Sequence, residues 1–131
     1  MKNVIGIGSA LVDILTRIDN DDILKELEIR KGSMHLVDEK STAIIENRLE
    51  NYESSMAPGG SAANTIHALS KMGIESGFIS FIGKDEIGKF FENSMSSVGV
   101  KSYLFHSDTA SGTARTIISA AMQTFRPLPI R

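Results

Sequence analysis

The sequence predicts an α/β domain with a largely parallel sheet, and two observations support this fold class. Short apolar segments rich in β-branched residues and bounded by glycine occur at residues 4–8 and 78–82, as is typical of buried parallel strands. Segments with apolar residues at helical spacing occur between and after them. They end at Gly73 and Gly99, where glycine commonly ends a helix. Strands that alternate with helices in this way indicate an α/β fold.

The first half of the chain is expected to contain an alternating strand, a short helix after an acidic turn, a short edge strand and a longer helix, at residues 14–18, 19–27, 32–38 and 41–49. Ser41 is expected to cap the longer helix, because a serine hydroxyl accepts a hydrogen bond from a free N–H of the first turn. Ile44, Ile45 and Leu49 would then share one face of that helix.

In the second half, glycines mark the ends of the elements. A helix rich in small residues is predicted over residues 62–72, and Asp85 is expected to cap the helix that follows the strand at 78–82. Apolar residues keep helical spacing along this helix, at Ile87, Phe90, Phe91, Met95 and Val98. Two further strands are predicted at residues 101–105 and 113–119. Residues 122–131 contain two prolines and no periodicity, so we expect the chain to run out in the middle of a fold.

Composition excludes several classes of protein. The 131 residues are enough for one domain with a modest core, and the net charge of −2 argues against a nucleic-acid partner. The absence of cysteine excludes disulfides and thiolate metal sites and is compatible with a reducing cytoplasm. The first apolar segment is too short to span a membrane and is followed by Asp13. We therefore expect a soluble, cytoplasmic protein without a membrane partner.

The segment Gly59-Gly60-Ser61-Ala62-Ala63-Asn64 is the first candidate site. Paired glycines at the start of a helix allow a ligand to approach the backbone, where the N–H groups of the first turn are free. Asn64 adds one acceptor and two donors one turn later, a combination suited to a polyhydroxylated small molecule. The residues alone leave a second interpretation open, in which the glycines only form a tight strand-to-helix turn.

Asp13 is the second candidate. A carboxylate just past the end of a buried strand lies where open α/β sheets bind their ligands, and its two oxygens accept hydrogen bonds from neighbouring hydroxyls. An acid in a solvated turn, or a helix cap, is the alternative that the local sequence leaves open. Arg115, in a predicted strand, is a candidate for an anionic ligand, although a strand arginine that faces solvent is the more common case.

Other motifs are absent or have simpler explanations. Leu11 replaces the third glycine of a dinucleotide-binding fingerprint, and no Walker A motif occurs. The three histidines lack the spacing of metal ligands, so no metal site is predicted. The acidic pair Asp85 and Glu86 is explained by the start of a helix, where the dipole favours acids.

Together, these segments resemble the ribokinase-like, or PfkB, carbohydrate kinase family. Four ordered blocks carry the resemblance: Gly6-Ile7-Gly8-Ser9-Ala10-Leu11-Val12-Asp13, the Gly59-to-Asn64 segment with Gly73 and the strand ending at Gly83, Gly83-Lys84-Asp85-Glu86-Ile87-Gly88, and Ser111-Gly112-Thr113-Ala114. The segment at residues 31–38 is most similar to the adenosine-kinase-related branch. The resemblance covers about residues 3 to 119.

The resemblance implies a partial Rossmann-like ribokinase fold with a small β-sheet lid, whose strands would lie near residues 14–18, 33–37, 54–58 and 103–119. It implies an ATP-dependent kinase that phosphorylates a primary hydroxyl of a sugar or nucleoside with Mg²⁺. Asp13 would bind substrate hydroxyls, Gly59 and Gly60 would pack against the substrate, and Asn64 would hold a further hydroxyl. Ser61 and Arg115 are lesser candidates. A homodimer formed through the lid is a further expectation.

The family's second signature, an Asp-Thr-x-Gly-Ala-Gly-Asp segment with the catalytic base and an anion hole, has no match in the chain. We therefore expect residues 1–131 to be the N-terminal, substrate-binding part of a kinase domain, truncated or frame-shifted, without the ATP-binding half and inactive alone. A non-catalytic, homo-oligomeric binding module derived from the kinase is the alternative. A third possibility is a chain that does not fold independently.

Overall fold

The computed structural model of the chain describes residues 3–109 and 111–119. Ten elements follow one another along these residues: β1 (Val4–Ile7), β2 (Leu11–Ile18), α1 (Asp22–Glu26), α2 (Glu39–Leu49), β3 (Ser54–Gly59), α3 (Ser61–Lys71), β4 (Ser76–Gly83), α4 (Glu86–Ser97), β5 (Lys101–Ser107) and β6 (Gly112–Ser119). They group into two compact units, one of residues 3–14 with 56–109 and 111–115 and one of residues 15–55 with 116–119. The α/β fold class predicted from the sequence is confirmed.

The first unit contains a parallel sheet in the order β1-β4-β5. Val4 lies opposite Ser76, and Gly77 lies opposite Lys101, so the three strands are in register. One face of this sheet carries Phe78, which is fully buried and whose ring centroid lies 5.8 Å from that of Phe91 of α4. The two helices α3 and α4 supply the rest of the buried cluster on this face, mainly Ala63, Ile66, Phe91 and Met95.

The opposite face of the same sheet carries large apolar side chains that remain exposed, by between 53% and 74% of their area: Ile5, Ile7, Phe81, Tyr103 and Phe105. The rings of Phe81 and Phe105 lie opposite each other in register, with centroids 5.4 Å apart. Because successive residues of a strand point to opposite faces, the exposed and the buried apolar residues alternate along each strand.

Both long helices of the first unit end as the sequence predicts. Gly73 has a φ of 83° and Gly99 a φ of 84°, the left-handed conformation that favours glycine. The N–H of Ile74 donates to the carbonyl of Leu69, and the N–H of Gly73 donates to that of Ser70. These bonds satisfy carbonyls that the end of α3 would otherwise leave free, and the residues around Gly99 repeat the arrangement at the end of α4.

The second unit has its own small core, formed by Ile18, Leu24 and Leu49 with partly buried neighbours. Its helices are α1 and α2. The Asp21 carboxylate accepts hydrogen bonds from Lys31 Nζ at 2.9 Å and from the hydroxyl of Ser119 at 2.5 Å. These hydrogen bonds lower the pKa of Asp21, the one from Ser119 having the larger effect.

The three remaining strands form a second sheet in the order β3-β2-β6. The strands predicted at residues 14–18, 54–58 and 113–119 are thus present, within β2, β3 and β6.

Three predictions about local structure were wrong. Residues 33–38 form no strand and are exposed. An alternating pattern becomes a strand only where a neighbouring strand pairs with it. The cap of α2 is Asp38, which accepts a hydrogen bond from the N–H of Ser41 at 2.8 Å, so Ser41 is a donor inside the helix. Residues 103–107 belong to β5 of the parallel sheet and not to the small sheet.

The predictions for residues 120–131 lie outside the described residues. Within residues 3–109 and 111–119, no helix combines the length and apolar character needed to cross a bilayer.

Candidate functional site

Asp13 is the third residue of strand β2 and is half-buried. The sequence analysis placed this carboxylate just past the end of a buried strand. The difference arises because the connection after β1 is only three residues long, Gly8, Ser9 and Ala10, so that the chain has already entered β2 at Leu11. Strand residues therefore precede and follow Asp13 in the sequence, so its carboxylate projects from a strand and not from a turn.

The Asp13 carboxylate lies directly over Gly59, the last residue of β3. A methyl group at Gly59 would lie 2.6 Å from Oδ2 and 2.9 Å from Oδ1 of Asp13, closer than carbon and oxygen atoms approach without a bond. Glycine is therefore required at position 59 for the carboxylate to keep this position. The structure thus brings together two of the residues that the sequence singled out.

Gly60 connects β3 to α3 and has a φ of 93°, a conformation that residues with side chains rarely adopt. A methyl group there would lie 2.7 Å from the carbonyl oxygen of Ser9. Gly8 precedes Ser9 in the connection between β1 and β2 and lies close to Ala62 of α3. A methyl group at Gly8 would lie 2.8 Å from the Cβ of Ala62. The β1–β2 connection and the start of α3 are therefore packed against each other, which fixes the start of α3 near Asp13.

Ser61 is the first residue of α3, and Asn64 lies one turn further along. The N–H of Asn64 donates to the carbonyl of Gly60 at 2.9 Å, which makes it the first intrahelical bond of this helix. Both side chains are exposed. The backbone N–H groups that precede Asn64 have no partner within the helix, as at every helix start. The Ser61 hydroxyl, the Asn64 amide and the backbone N–H groups of the first turn therefore all lie within one helical turn of Gly60.

Arg115 lies on β6 and is half-buried. In the sheet, β6 is the neighbour of β2, and its first residue, Gly112, lies against β2: a methyl group at Gly112 would lie 2.7 Å from Leu11 Cδ2 and 3.8 Å from the carbonyl oxygen of Ala10. The structure therefore places Arg115 on the strand next to that of Asp13, and it places the Asp13 carboxylate against Gly59, the residue before Gly60.

The sequence analysis missed one arrangement in this unit. Asp85 was predicted as a helix cap, and this is confirmed, because its Oδ1 accepts a hydrogen bond from Gly88 N–H at 2.8 Å. Its Oδ2 also accepts a hydrogen bond from the N–H of Ser111, at 2.8 Å. Burial alone would raise the pKa of Asp85, but the hydrogen bonds from Ser111 and Gly88 lower the pKa below its ordinary value. No local pattern in the sequence indicates a contact between residues so far apart.

The residues described here do not form a metal site. Among residues 3–109 and 111–119, no group of three or more histidine, cysteine, aspartate or glutamate side chains is arranged to hold a metal ion. No step of the chemistry is therefore derived through the Mg²⁺ that the resemblance implies. What the Asp13 region does offer is a fixed acceptor pair, an exposed amide and a closely approachable backbone, which suit hydroxyl groups.

Comparison with known proteins identifies the family and the fold of the chain. The fold is that of the ribokinase-like kinases, present in part. Residues 34–127 match the sequence profile of the pfkB family carbohydrate kinases, and the chain therefore belongs to this family. No curated protein matches the chain.

Solved structures of similar fold include adenosine kinases and a sugar kinase. The chain is similar to the adenosine kinase of Anopheles gambiae, in complex with P1,P4-di(adenosine-5) tetraphosphate, at 23% identity and a TM-score of 0.76 over 89% of this chain and 36% of that one. It is similar to the adenosine kinase of Sinorhizobium meliloti at 26% identity and a TM-score of 0.73, over 90% of this chain and 36% of that one. It is similar to a probable sugar kinase of Rhizobium etli at 24% identity and a TM-score of 0.69, over 90% of this chain and 36% of that one. The chain thus spans about 36% of the length of these structures.

Proposed function

We propose that this chain carries the acceptor-binding residues of an ATP-dependent kinase that phosphorylates a primary hydroxyl of a sugar or a nucleoside. The observation that supports this most directly is the Asp13 carboxylate, which lies over Gly59 beside the glycine-opened start of α3. An ionised carboxylate accepts hydrogen bonds at both oxygens, so it suits two neighbouring hydroxyls of a polyol better than an apolar or anionic ligand.

In this proposal each residue has a distinct role. Asp13 accepts hydrogen bonds from substrate hydroxyls and thereby orients the substrate. The backbone at Gly59 and Gly60 packs against the substrate, because neither residue has a side chain to keep it away. Asn64 binds a further hydroxyl through its amide. Ser61, at the start of α3, and Arg115, on β6, are assigned secondary contacts.

The phosphoryl donor is assigned to ATP with Mg²⁺, as the family implies. Phosphoryl transfer requires a base for the attacking hydroxyl and neutralisation of the charge that develops on the phosphate. The sequence contains no Asp-Thr-x-Gly-Ala-Gly-Asp segment to supply the base. We therefore assign these residues to acceptor binding only and expect no turnover from the 131-residue chain by itself.

The choice between a nucleoside and a sugar stays open. Two of the three similar structures are of adenosine kinases and one is of a probable sugar kinase. The test therefore uses adenosine, D-ribose and D-fructose in parallel. Each compound is added to the purified chain, and the shift in thermal unfolding midpoint that it causes is measured.

We expect at least one of these compounds to raise the unfolding midpoint of the wild-type chain, and we expect Asp13→Ala to abolish that shift. Asp19→Ala is the matched control, because Asp19 is an exposed acid just after β2, and its shift is expected to equal that of the wild type. If Asp13→Ala retains the full ligand-induced shift, Asp13 does not belong to the site and the proposal fails.

A homo-oligomeric interaction module is the second candidate, and the exposed apolar face of the β1-β4-β5 sheet favours it. Soluble monomers rarely expose contiguous apolar patches of this kind without a partner. Phe81→Ser combined with Phe105→Ser removes the two rings in contact on this face. Sedimentation velocity at micromolar concentration distinguishes the two functions. A wild-type dimer that the double variant converts to a monomer supports the module, and a wild-type monomer excludes it.

A further inference from the structure

A second group of polar contacts in the first unit joins the start of α4 to the start of β6. Asp85 accepts one hydrogen bond at each carboxylate oxygen, from Gly88 N–H within α4 and from Ser111 N–H just before β6, both at 2.8 Å. A helix cap needs only the first of these bonds. The second joins two segments that are far apart in the sequence.

Ser111 returns a contact to the segment that precedes Asp85. Its hydroxyl oxygen accepts a hydrogen bond from the N–H of Gly83, the last residue of β4, at 2.8 Å. Two backbone N–H groups and two side chains therefore close a ring between residues 83–85 and Ser111. The exposed ion pair between Lys84 and Asp108, at 2.6 Å, joins the same two segments and contributes little, because solvent screens it.

Two glycines allow these segments to approach each other. A methyl group at Gly83 would lie 2.6 Å from the nitrogen of Ser111 and 2.7 Å from the carbonyl oxygen of Thr109. A methyl group at Gly88 would lie 2.9 Å from the hydroxyl oxygen of Ser111 and in overlap with the carbonyl oxygen of Gly83. The ring is therefore packed without free space, and Ser111 has little room to shift while it is closed.

The residue after Ser111 contacts the strand that carries Asp13. Gly112 begins β6 and lies against Leu11, the first residue of β2. Leu11 and Asp13 are two positions apart on β2, so their side chains point to the same face of the sheet. The place of Ser111 consequently sets the place of Gly112, and Gly112 limits the room available to Leu11 beside Asp13.

We infer that Asp85 is a positioning residue for the Asp13 site: through Ser111 and Gly112 it holds the start of β6 against Leu11 and thereby fixes the strand face that presents the Asp13 carboxylate. The role of this face in ligand binding rests on the proposed function, whereas the ordering of Leu11 and Asp13 by Asp85 does not. Asp85 itself is expected to make no contact with substrate.

Asp38 provides the matched control. It is also the aspartate cap of a helix, and its Oδ1 accepts a hydrogen bond from Ser41 N–H at 2.8 Å. An asparagine has one acceptor oxygen in place of two. Asp38→Asn can therefore keep this bond, whereas Asp85→Asn loses either the bond from Gly88 or the one from Ser111. The two variants make the same chemical change at the same kind of position, and only one of them opens the ring.

The first experiment measures amide hydrogen exchange in the ligand-free chain. Asp85→Asn is expected to speed exchange about tenfold or more at Leu11, Asp13 and Ser111, because an unmet hydrogen bond to a charged group weakens local structure by roughly that factor. Asp38→Asn is expected to leave these amides unchanged. Ser111→Ala removes the acceptor for Gly83 N–H and the hydroxyl beside the Asp85 carboxylate but keeps the bond from the Ser111 N–H. It is expected to give a smaller increase and serves if Asp85→Asn does not fold. Unchanged exchange at Leu11 and Asp13 in both ring variants overturns the inference.

The second experiment measures the dissociation constant of whichever of adenosine, D-ribose and D-fructose binds the wild-type chain. Asp85→Asn is expected to raise this constant about tenfold, and Asp38→Asn is expected to leave it unchanged. Faster exchange at Asp13 with an unchanged dissociation constant shows that the ordering does not serve the site, and it overturns the inference. If the wild-type chain binds none of the three compounds, the proposed function and the ligand role of Asp85 fail together, and the exchange data still decide whether Asp85 orders β2.

Discussion

The two faces of the β1-β4-β5 sheet carry similarly apolar side chains in very different surroundings. Phe78 and Phe81 illustrate this within one strand, β4: Phe78 is fully buried beneath α3 and α4, whereas Phe81 is 70% exposed. Sheets made only of parallel strands are generally covered on both faces. The comparison teaches that apolar character alone does not decide stability, since a side chain stabilises the fold only when a neighbouring element removes it from water.

The largest effect is expected from Phe78→Ala. The substitution removes a buried ring and leaves a cavity beside Phe91, so we expect the free energy of unfolding to fall by about 3–5 kcal/mol. Phe81→Ala makes the same change on the exposed face and is expected to cost less than about 1 kcal/mol, mainly through the lost contact with Phe105. Urea unfolding of both variants measures the difference. Equal losses would show that the exposed face is covered in solution.

A second, smaller effect uses a matched pair of glycines. A methyl group at Gly6 would lie 2.5 Å from Cγ1 of the buried Ile66, so Gly6→Ala is expected to destabilise the chain by about 1–3 kcal/mol through overpacking. Gly77 lies opposite Ile5 on the exposed face, where the nearest atom to a methyl group is Tyr103 Cε2 at 3.3 Å. Because the half-exposed Tyr103 ring can shift into solvent, Gly77→Ala is expected to change stability by about 0.5 kcal/mol or less.

The stabilities of the two glycine variants, measured by thermal and urea unfolding, are compared with that of the wild type. A loss for Gly77→Ala as large as that for Gly6→Ala would contradict the distinction between the two faces. A loss for neither would show that Ile66 adjusts its side chain at little cost, and that α3 covers its face less tightly than the structure indicates.

The smallest effect concerns the start of α4, one of the two helices that cover the buried face. The pKa of Asp85 is below its ordinary value in the folded chain: burial opposes this shift, and the hydrogen bonds from Ser111 and Gly88 outweigh it. The ionised carboxylate therefore stabilises the folded state above about pH 4, the ordinary pKa of the unfolded chain, and this contribution is lost as the pH falls through the lower folded-state pKa. Asp85→Asn should accordingly lose less stability than the wild type on acidification.

Urea midpoints at pH 7, 5, 4 and 3 measure this difference in slope. Glu86→Gln is the matched control, because Glu86 is an exposed neighbour whose nearest cation, Lys89, lies 3.6 Å away on the surface. The control is expected to follow the wild-type curve. Parallel curves for Asp85→Asn and the wild type would show that the hydrogen bonds of Asp85 do not favour its ionised form.

Some of the fold could be predicted because its causes are local. The glycines that end α3 and α4 occupy conformations that other residues avoid, and Asp85 caps the helix that follows it. The predictions for residues 33–38 and Ser41 failed for a related reason. Whether an alternating segment becomes a strand depends on a partner strand, and which of two polar residues caps a helix depends on where the helix begins.

The candidate site likewise combines features that the local sequence indicates with contacts that only the folded chain shows. The residue types at Asp13, Gly59, Gly60 and Asn64 could be singled out from the sequence, because paired glycines before a helix let a ligand approach the backbone and because carboxylates and amides bind hydroxyl groups. The contact between Asp13 and Gly59 could not be predicted from the residues alone, since it depends on how β2 and β3 pair. The bond from Ser111 to Asp85 was missed altogether, because each residue has a sufficient local explanation.

The sequence by itself determined most of the strands and helices, the ends of the two long helices and the kinds of residue available for chemistry, because backbone conformation and side-chain periodicity are properties of neighbouring residues. Only the tertiary structure decided which apolar face of the sheet is buried, that the Asp13 carboxylate lies over Gly59, and that Asp85 reaches Ser111. These features depend on contacts between residues far apart in the chain, and such contacts exist only after strands have paired and helices have packed.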